Sequence, residues 1–158
     1  MRPAFDWPSV RGEFEPDGSL RDIYMLDTTA NDWQTVLDHL RRSGRSVRFE
    51  VGGVEGPLPD QVSTIFGVSA EATPLLNFDV GGVDLACHFF TPSEIEFDFL
   101  PTDVQGPERL QSVLEFMAEI GQLLAKTVVL TPENGKAVPI FKYDATSDRT
   151  LYCPPSAA

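Results

Sequence analysis

Lysine and arginine are missing from one long stretch of this chain. Between Phe49 and Glu108 there is neither, while eleven Asp and Glu fall in the same sixty residues: Glu50, Glu55, Asp60, Glu71, Asp79, Asp84, Glu94, Glu96, Asp98, Asp103 and Glu108. The whole chain has 24 acids and 12 bases, so this stretch carries all but one unit of the net charge of -12. A field segregated in this way repels nucleic acid and anionic membrane and attracts cationic partners. Cysteine is scarce as well. Cys87 and Cys153 make neither a disulfide framework nor a metal motif. No run approaches the roughly 18 apolar residues of a spanning helix. Met1 to Val10 carries Pro3, Asp6 and Pro8 where a signal peptide needs an apolar core, so the expected setting is soluble and cytoplasmic. There is no Gly-x-Ser-x-Gly, no His-Glu-x-x-His and no phosphate-cradling glycine loop ending in Lys.

What is present suits one globular domain over residues 1–158, which on folding should bury roughly two-thirds of the surface its unfolded chain exposes. The first 18 residues, with Pro3, Pro8, Gly12, Pro16 and Gly18, read as an irregular lead-in pinned by Phe5, Trp7 and Phe14. Leu20 to Leu26 reads as a strand whose near-continuous apolarity over Ile23, Tyr24, Met25 and Leu26 fits cover on both faces. A helix follows, capped by Thr29 with Asp32 at its third position, with Trp33, Val36, Leu37 and Leu40 at helical spacing and Gly44 as terminator. Val47, Phe49 and Val51 alternate with Arg48 and Glu50 as a half-buried strand, and Gln61 to Phe66 suits a short helical turn. After Pro107, the stripe Leu110, Val113, Leu114, Met117, Ile120 and Leu124 draws a long helix. Strands are expected at Thr127 to Leu130 and at Val138 to Tyr143, then a frayed tail at Cys153 to Ala158. That order predicts an α+β fold: a largely antiparallel sheet with two helices packed on one face.

The segment Leu75 to Phe99 can be registered from parity alone. Gly81-Gly82 between Val80 and Val83 marks a two-residue hairpin turn. Pairing Val80 with Val83 puts Leu76, Phe78, Val80, Val83, Leu85 and Cys87 on one face. A three-residue connection at Thr91-Pro92-Ser93 adds Ile95, Phe97 and Phe99 to it. The other face then carries Asp79, Asp84, His88, Glu94, Glu96 and Asp98, with Asp79 opposite Asp84 and His88 opposite Glu96. Like charges directly opposed on a sheet cost up to about 1 kcal/mol, so the arrangement does not serve stability. An exposed sheet face must be polar and acidic residues aid solubility, but that accounts poorly for the missing cations.

Other chemistries fit less well. Glu94, Glu96 and Asp98 alternate along one strand over roughly 13 Å and cannot all reach one ion, so no metal is expected. His88 beside Glu96 looks like an acid/base pair, yet a histidine bonded to a strand neighbour is the commoner arrangement. Cys87 has no cation nearby in sequence to lower its thiol pKa. Arg41, Arg42, Arg45 and Arg48 form the one basic cluster, and cations in the last turn of a helix serve the helix dipole. No catalytic residue and no cofactor is assigned.

Leu130-Thr131-Pro132-Glu133-Asn134, then Pro139-Ile140-Phe141-Lys142-Tyr143-Asp144, together with the acidic strand Glu94 to Phe99, resemble small acidic bacterial proteins of the immunity kind. That resemblance implies a cytoplasmic, non-enzymatic, single-domain protein that neutralises a cognate toxin by binding it. The expected function is thus an acidic binding protein docking a basic partner through Asp79, Asp84, His88, Glu94, Glu96 and Asp98. Two alternatives stand beside it. One is a divalent-metal-assisted enzyme using Glu94, Glu96, Asp98 and His88; the other is a homo-oligomer pairing an edge strand near Val138 across a two-fold axis.

Overall fold

The structure, a computed structural model, describes residues 4–68 and 70–155. Nine strands form one sheet: β1 (Arg21–Leu26), β2 (Val47–Val51), β3 (Val54–Gly56), β4 (Pro74–Val80), β5 (Val83–Thr91), β6 (Glu94–Phe99), β7 (Val128–Pro132), β8 (Phe141–Asp144) and β9 (Arg149–Tyr152). Their spatial order is β3-β2-β4-β5-β6-β1-β7-β8-β9, and every neighbouring pair is antiparallel. Four helices accompany them: α1 (Trp7–Val10), α2 (Ala30–Arg42), α3 (Val62–Phe66) and α4 (Pro107–Leu124). The fold is therefore the expected α+β class, with β1 inserted between β6 and β7.

Helix α2 starts on a complete capping box: the Thr29 hydroxyl accepts the Asp32 N–H at 3.1 Å, and the Asp32 carboxylate accepts the Thr29 N–H at 3.0 Å. Its buried stripe is Trp33, Val36, Leu37 and Leu40. Helix α4 buries Leu110, Val113, Leu114, Phe116, Met117 and Ile120. Phe116 meets Phe78 and Phe97 at centroid distances of 5.4 and 5.5 Å, which places α4 on the apolar side of the central strands. The two helices are clamped together by Glu119 of α4, which accepts both Arg45 guanidinium N–H groups at 2.9 and 3.1 Å and lies 2.7 Å from His39 Nε2. Those bonds hold the Glu119 carboxyl below its ordinary pKa although burial acts the other way and is the largest single influence. Arg41 donates to the carbonyls of Leu58 and Pro59, and Arg48 pairs with Glu50 at 3.1 Å, so these three arginines serve the protein's own structure.

Several details depart from expectation. The N-terminal lead-in is ordered over its described part: Pro8 near the start of α1 supplies a helical φ, and a 3-10 turn over Arg11–Phe14 delivers Phe14, wholly buried, between Trp7 and Phe99. The turn at Gly52-Gly53 closes a hairpin onto a further strand, β3. The strand expected at Val138 to Tyr143 begins only at Phe141, because Pro139 lacks an N–H and ladder bonding starts with the Ile140 N–H to the Leu130 carbonyl at 2.7 Å. Val138 therefore lies in a connection, and the sheet's two outermost strands are β3 and β9. The frayed tail begins within the described residues, where the Cys153 N–H is still bonded to the Ile140 carbonyl at 2.7 Å; residues 156–158 lie outside them.

The β4–β5 hairpin turns at Gly81-Gly82, both at positive φ, and it is docked on α4. A Cβ on Gly81 would run into the Ser112 side chain, whereas one on Gly53, also at positive φ, would meet nothing within 4 Å. Gly53→Ala is expected to cost about 1 kcal/mol for backbone strain alone, and Gly81→Ala at least about 1 kcal/mol more for the added collision. Urea unfolding midpoints of the two variants at unchanged m-value check the difference.

Candidate binding face

Strand parity sorts the central sheet into two chemically distinct sides. In the hairpin Val80 pairs with Val83 and Asp79 with Asp84, as expected. The β5–β6 connection reaches the expected pairing by another route. Thr91 pairs with Glu94 across a two-residue turn, and a bulge between His88 and Thr91 supplies the odd residue that keeps His88 opposite Glu96 and Cys87 opposite Phe97. Phe78, Leu85, Ile95 and Phe97 are consequently buried beneath the helices, and the alternate residues line the opposite side.

On that side the carboxylates fall into two groups. Asp79 and Asp84 are exposed at the hairpin end, where Asp79 accepts the Gly82 N–H at 3.2 Å and Asp84 accepts from Asn77 Nδ2 at 3.4 Å. Glu94, Glu96 and Asp98 form the second group, and there the expectation of a fully open acidic surface needs correction. Asp98 is buried, and Glu94 and Glu96 are half-buried. The reason is β1, which pairs with β6 so that Asp22 stands opposite Asp98 and Tyr24 opposite Glu96. Asp22 and Tyr24 are both buried, and the Tyr24 hydroxyl donates to Asp22 Oδ2 at 2.8 Å. The connection between β7 and β8 folds over this corner: the Asn134 N–H donates to Asp22 Oδ2 at 2.8 Å, while the Lys136 ammonium pairs with Glu94 and lies 5.3 Å from the Tyr24 ring centroid. The long connection after β3 packs mainly against α2, where Gln34 bonds both the Asp60 carbonyl and the Val62 N–H, and only its end at Val68 and Thr73 comes up to His88 and Phe90.

Sequence reasoning thus placed the six predicted residues on one side and missed Asp22, Tyr24, Asn134 and Lys136. The alternation of Asp22 and Tyr24 with Arg21, Ile23 and Met25 was readable. The neighbourhood of β1 was not, because its partner strands lie far along the chain.

The electrostatics follow from this crowding. His88 Nε2 is 2.9 Å from Asp98 Oδ2, and that bond is the main influence raising the imidazole pKa. Asp22 is raised chiefly by burial, against the opposing effect of its bonds from Asn134 and Tyr24. Glu96 is raised to about 6, first by burial and then by the neighbouring carboxylates Asp22 and Glu94. Cys87 points to the other side, fully enclosed, and burial pushes its thiol well above its ordinary value. His88 and Asp98 have the geometry of a base with its orienting carboxylate, but the nearest thiol is turned away from them. Among the described residues no group of three His, Cys, Asp or Glu is arranged to hold a metal ion, and no helix is long and apolar enough to cross a membrane. No known protein family, curated protein or solved structure matches the chain.

The raised Glu96 carboxyl makes stability pH-dependent with a definite sign. An acid whose folded pKa lies above its unfolded value destabilises the fold when ionised, fully above pH 6 and not at all well below 4.5. Glu96→Gln is therefore expected to stabilise the protein by about 1 kcal/mol at about pH 8, a figure reduced for the partial exposure of the side chain, and to have little effect at about pH 4. Urea unfolding of both proteins at the two pH values checks it.

Proposed function

We propose that this protein is a non-enzymatic binding protein that docks a basic partner protein on the helix-free side of its sheet. The observation that carries the reading is the distribution of charge on that side. From β4 through β5 and β6 to β1, the strands themselves present Asp79, Asp84, Glu94, Glu96, Asp98 and Asp22 there. Among the described residues Lys136 reaches in to pair with Glu94, and His88 is bonded to Asp98. Arg48 on β2, paired with Glu50, borders Asp79 and Asp84 in a shallow hollow at one flank, and Lys142 on β8 stands at the other. Glu96 in particular keeps its proton more readily than a free carboxyl, first because it is partly buried and then because Asp22 and Glu94 beside it are of like sign. A lysine or arginine brought by a partner would relieve that repulsion, and a complementary negative surface raises the association rate.

The resemblance to immunity proteins names a toxin as the partner class. The same charge disfavours nucleic acid and anionic membrane. Asp79 and Asp84 are the most accessible members of the set and give up little stability when changed, since they oppose each other across the ladder.

The test begins with capture of the partner from source cells, its identification, and reconstitution from purified components. The double variant Asp79→Lys, Asp84→Lys is expected to fold normally and to associate with the partner about tenfold more slowly at low salt. Raising the salt should slow the unaltered protein towards the variant's rate. A partner that binds equally fast to both proteins, or binding indifferent to salt, overturns this reading.

A further inference from the structure

At the end of β5, at the edge of the acidic side and sharing His88 with it, a cavity lies beside the bulge. Its volume is about 270 Å³, just under the usual range for small-molecule pockets and room for a molecule of one or two rings. The walls are mainly aromatic. Phe89 turns inward at the bulge and meets Trp33 at 5.1 Å and Phe66 at 6.0 Å, with Phe66 edge-on to both rings. Phe90 turns outward, 67% exposed, with its ring stacked on His88 at 5.2 Å and 8°. Ile65, Val68 and Pro74 complete the apolar lining.

Two groups give this cavity polar character. His88 lines it while bonded to Asp98, which holds the ring in place. Thr73 lines it with a left-handed backbone, φ 47°, a conformation costly for a β-branched residue and held by the bond from the Gly52 N–H to the neighbouring Ala72 carbonyl. Strain of this kind is retained where the surrounding structure fixes it, often at binding sites. No lysine or arginine occurs anywhere from Phe49 to Glu108, so the lining offers no Lys or Arg side chain, and its one imidazole is already bonded to Asp98. Glu96 stands across the ladder from His88 and adds to the negative field.

We propose that this cavity is a binding site for a small planar aromatic molecule bearing no acidic group, stacked among Phe66, Phe89 and Phe90 and hydrogen-bonded at His88 or Thr73. The rings supply flat apolar walls, the volume limits the ligand to one or two fused rings, and the surrounding carboxylates reject an anion. The proposal stands independently of any protein partner.

The test is a titration of the intact protein, followed by amide NMR, with indole, tryptamine and indole-3-acetate as probes. Indole and tryptamine are expected to shift the resonances of residues 65–68, 73 and 88–90 saturably, with dissociation constants on the order of 0.1–1 mM for ligands of this size. Indole-3-acetate is expected to bind at least about tenfold more weakly. Val68→Trp fills the space and should abolish the shifts. Phe90→Ala removes a surface-exposed ring, keeps the fold, and should weaken indole binding several-fold even if Val68→Trp fails to fold. Absence of saturable shifts with indole, equal affinity for the acid, or undiminished binding in Phe90→Ala overturns the proposal.

Discussion

The parity of the β4–β5–β6 ribbon is the constraint on which the other features rest. Val80 must face Val83 across Gly81-Gly82, and the bulge after His88 must absorb one residue, so that Phe78, Leu85 and Phe97 fall on the same side. A slip of one residue would drive Asp79, Asp84, Glu96 and Asp98 beneath α2 and α4 and put the aromatic residues in water, a change no marginally stable domain survives. The helices have one side on which to pack because the carboxylates have the other. The acidic side is thus the reverse of the hydrophobic core, and a single register sets both.

What parity does not supply is compensation. Asp22, brought in by β1, is satisfied by the Tyr24 hydroxyl and the Asn134 amide, and among the described residues no buried side-chain polar atom lacks a hydrogen-bond partner. Hydrogen bonding is complete while charge is not. Lys136 reaches Glu94 from the β7–β8 connection, and His88 pairs with Asp98, but Glu96 is left among like charges. Elsewhere the chain disposes of its cations inside its own scaffold: Arg45 is bound by Glu119 and lies 5.3 Å from the Phe116 ring centroid, and Arg21, nearly buried, donates to the Glu13 carbonyl. Cations spent on structure at one side leave the other side negative.

Local chemistry made much of this legible in the sequence. The capping box at Thr29 and Asp32, the stripe from Leu110 to Ile120, the Gly81-Gly82 turn and the Val47–Val51 alternation each rest on residues within a few positions of one another, and each is present as expected. The misses share a cause of the opposite kind. Asp22 and Tyr24 read as part of a doubly covered strand, which they are, but nothing near them in sequence told that β6 would lie on one side and β7 on the other. Lys136 likewise sits in a Gly- and Pro-rich connection whose landing place depends on that insertion. The bulge at Phe89 and Phe90 gave no distinct signal, because a three-residue loop and a two-residue turn with a bulge yield the same downstream parity.

The insertion of β1 has a kinetic corollary. Strands β6 and β7 run parallel, joined through α4, with β1 filling the slot between them; Ile23 is the neighbour of Phe97 on one edge and of Leu130 on the other. Strand β1 is therefore an orphan until β6 and β7, both far behind it in the chain, have followed, and two large loops must close before it is zipped on both flanks. Until then its apolar run of Ile23, Tyr24 and Met25 is an unpaired, aggregation-prone ribbon, a hazard that falls on the nascent chain.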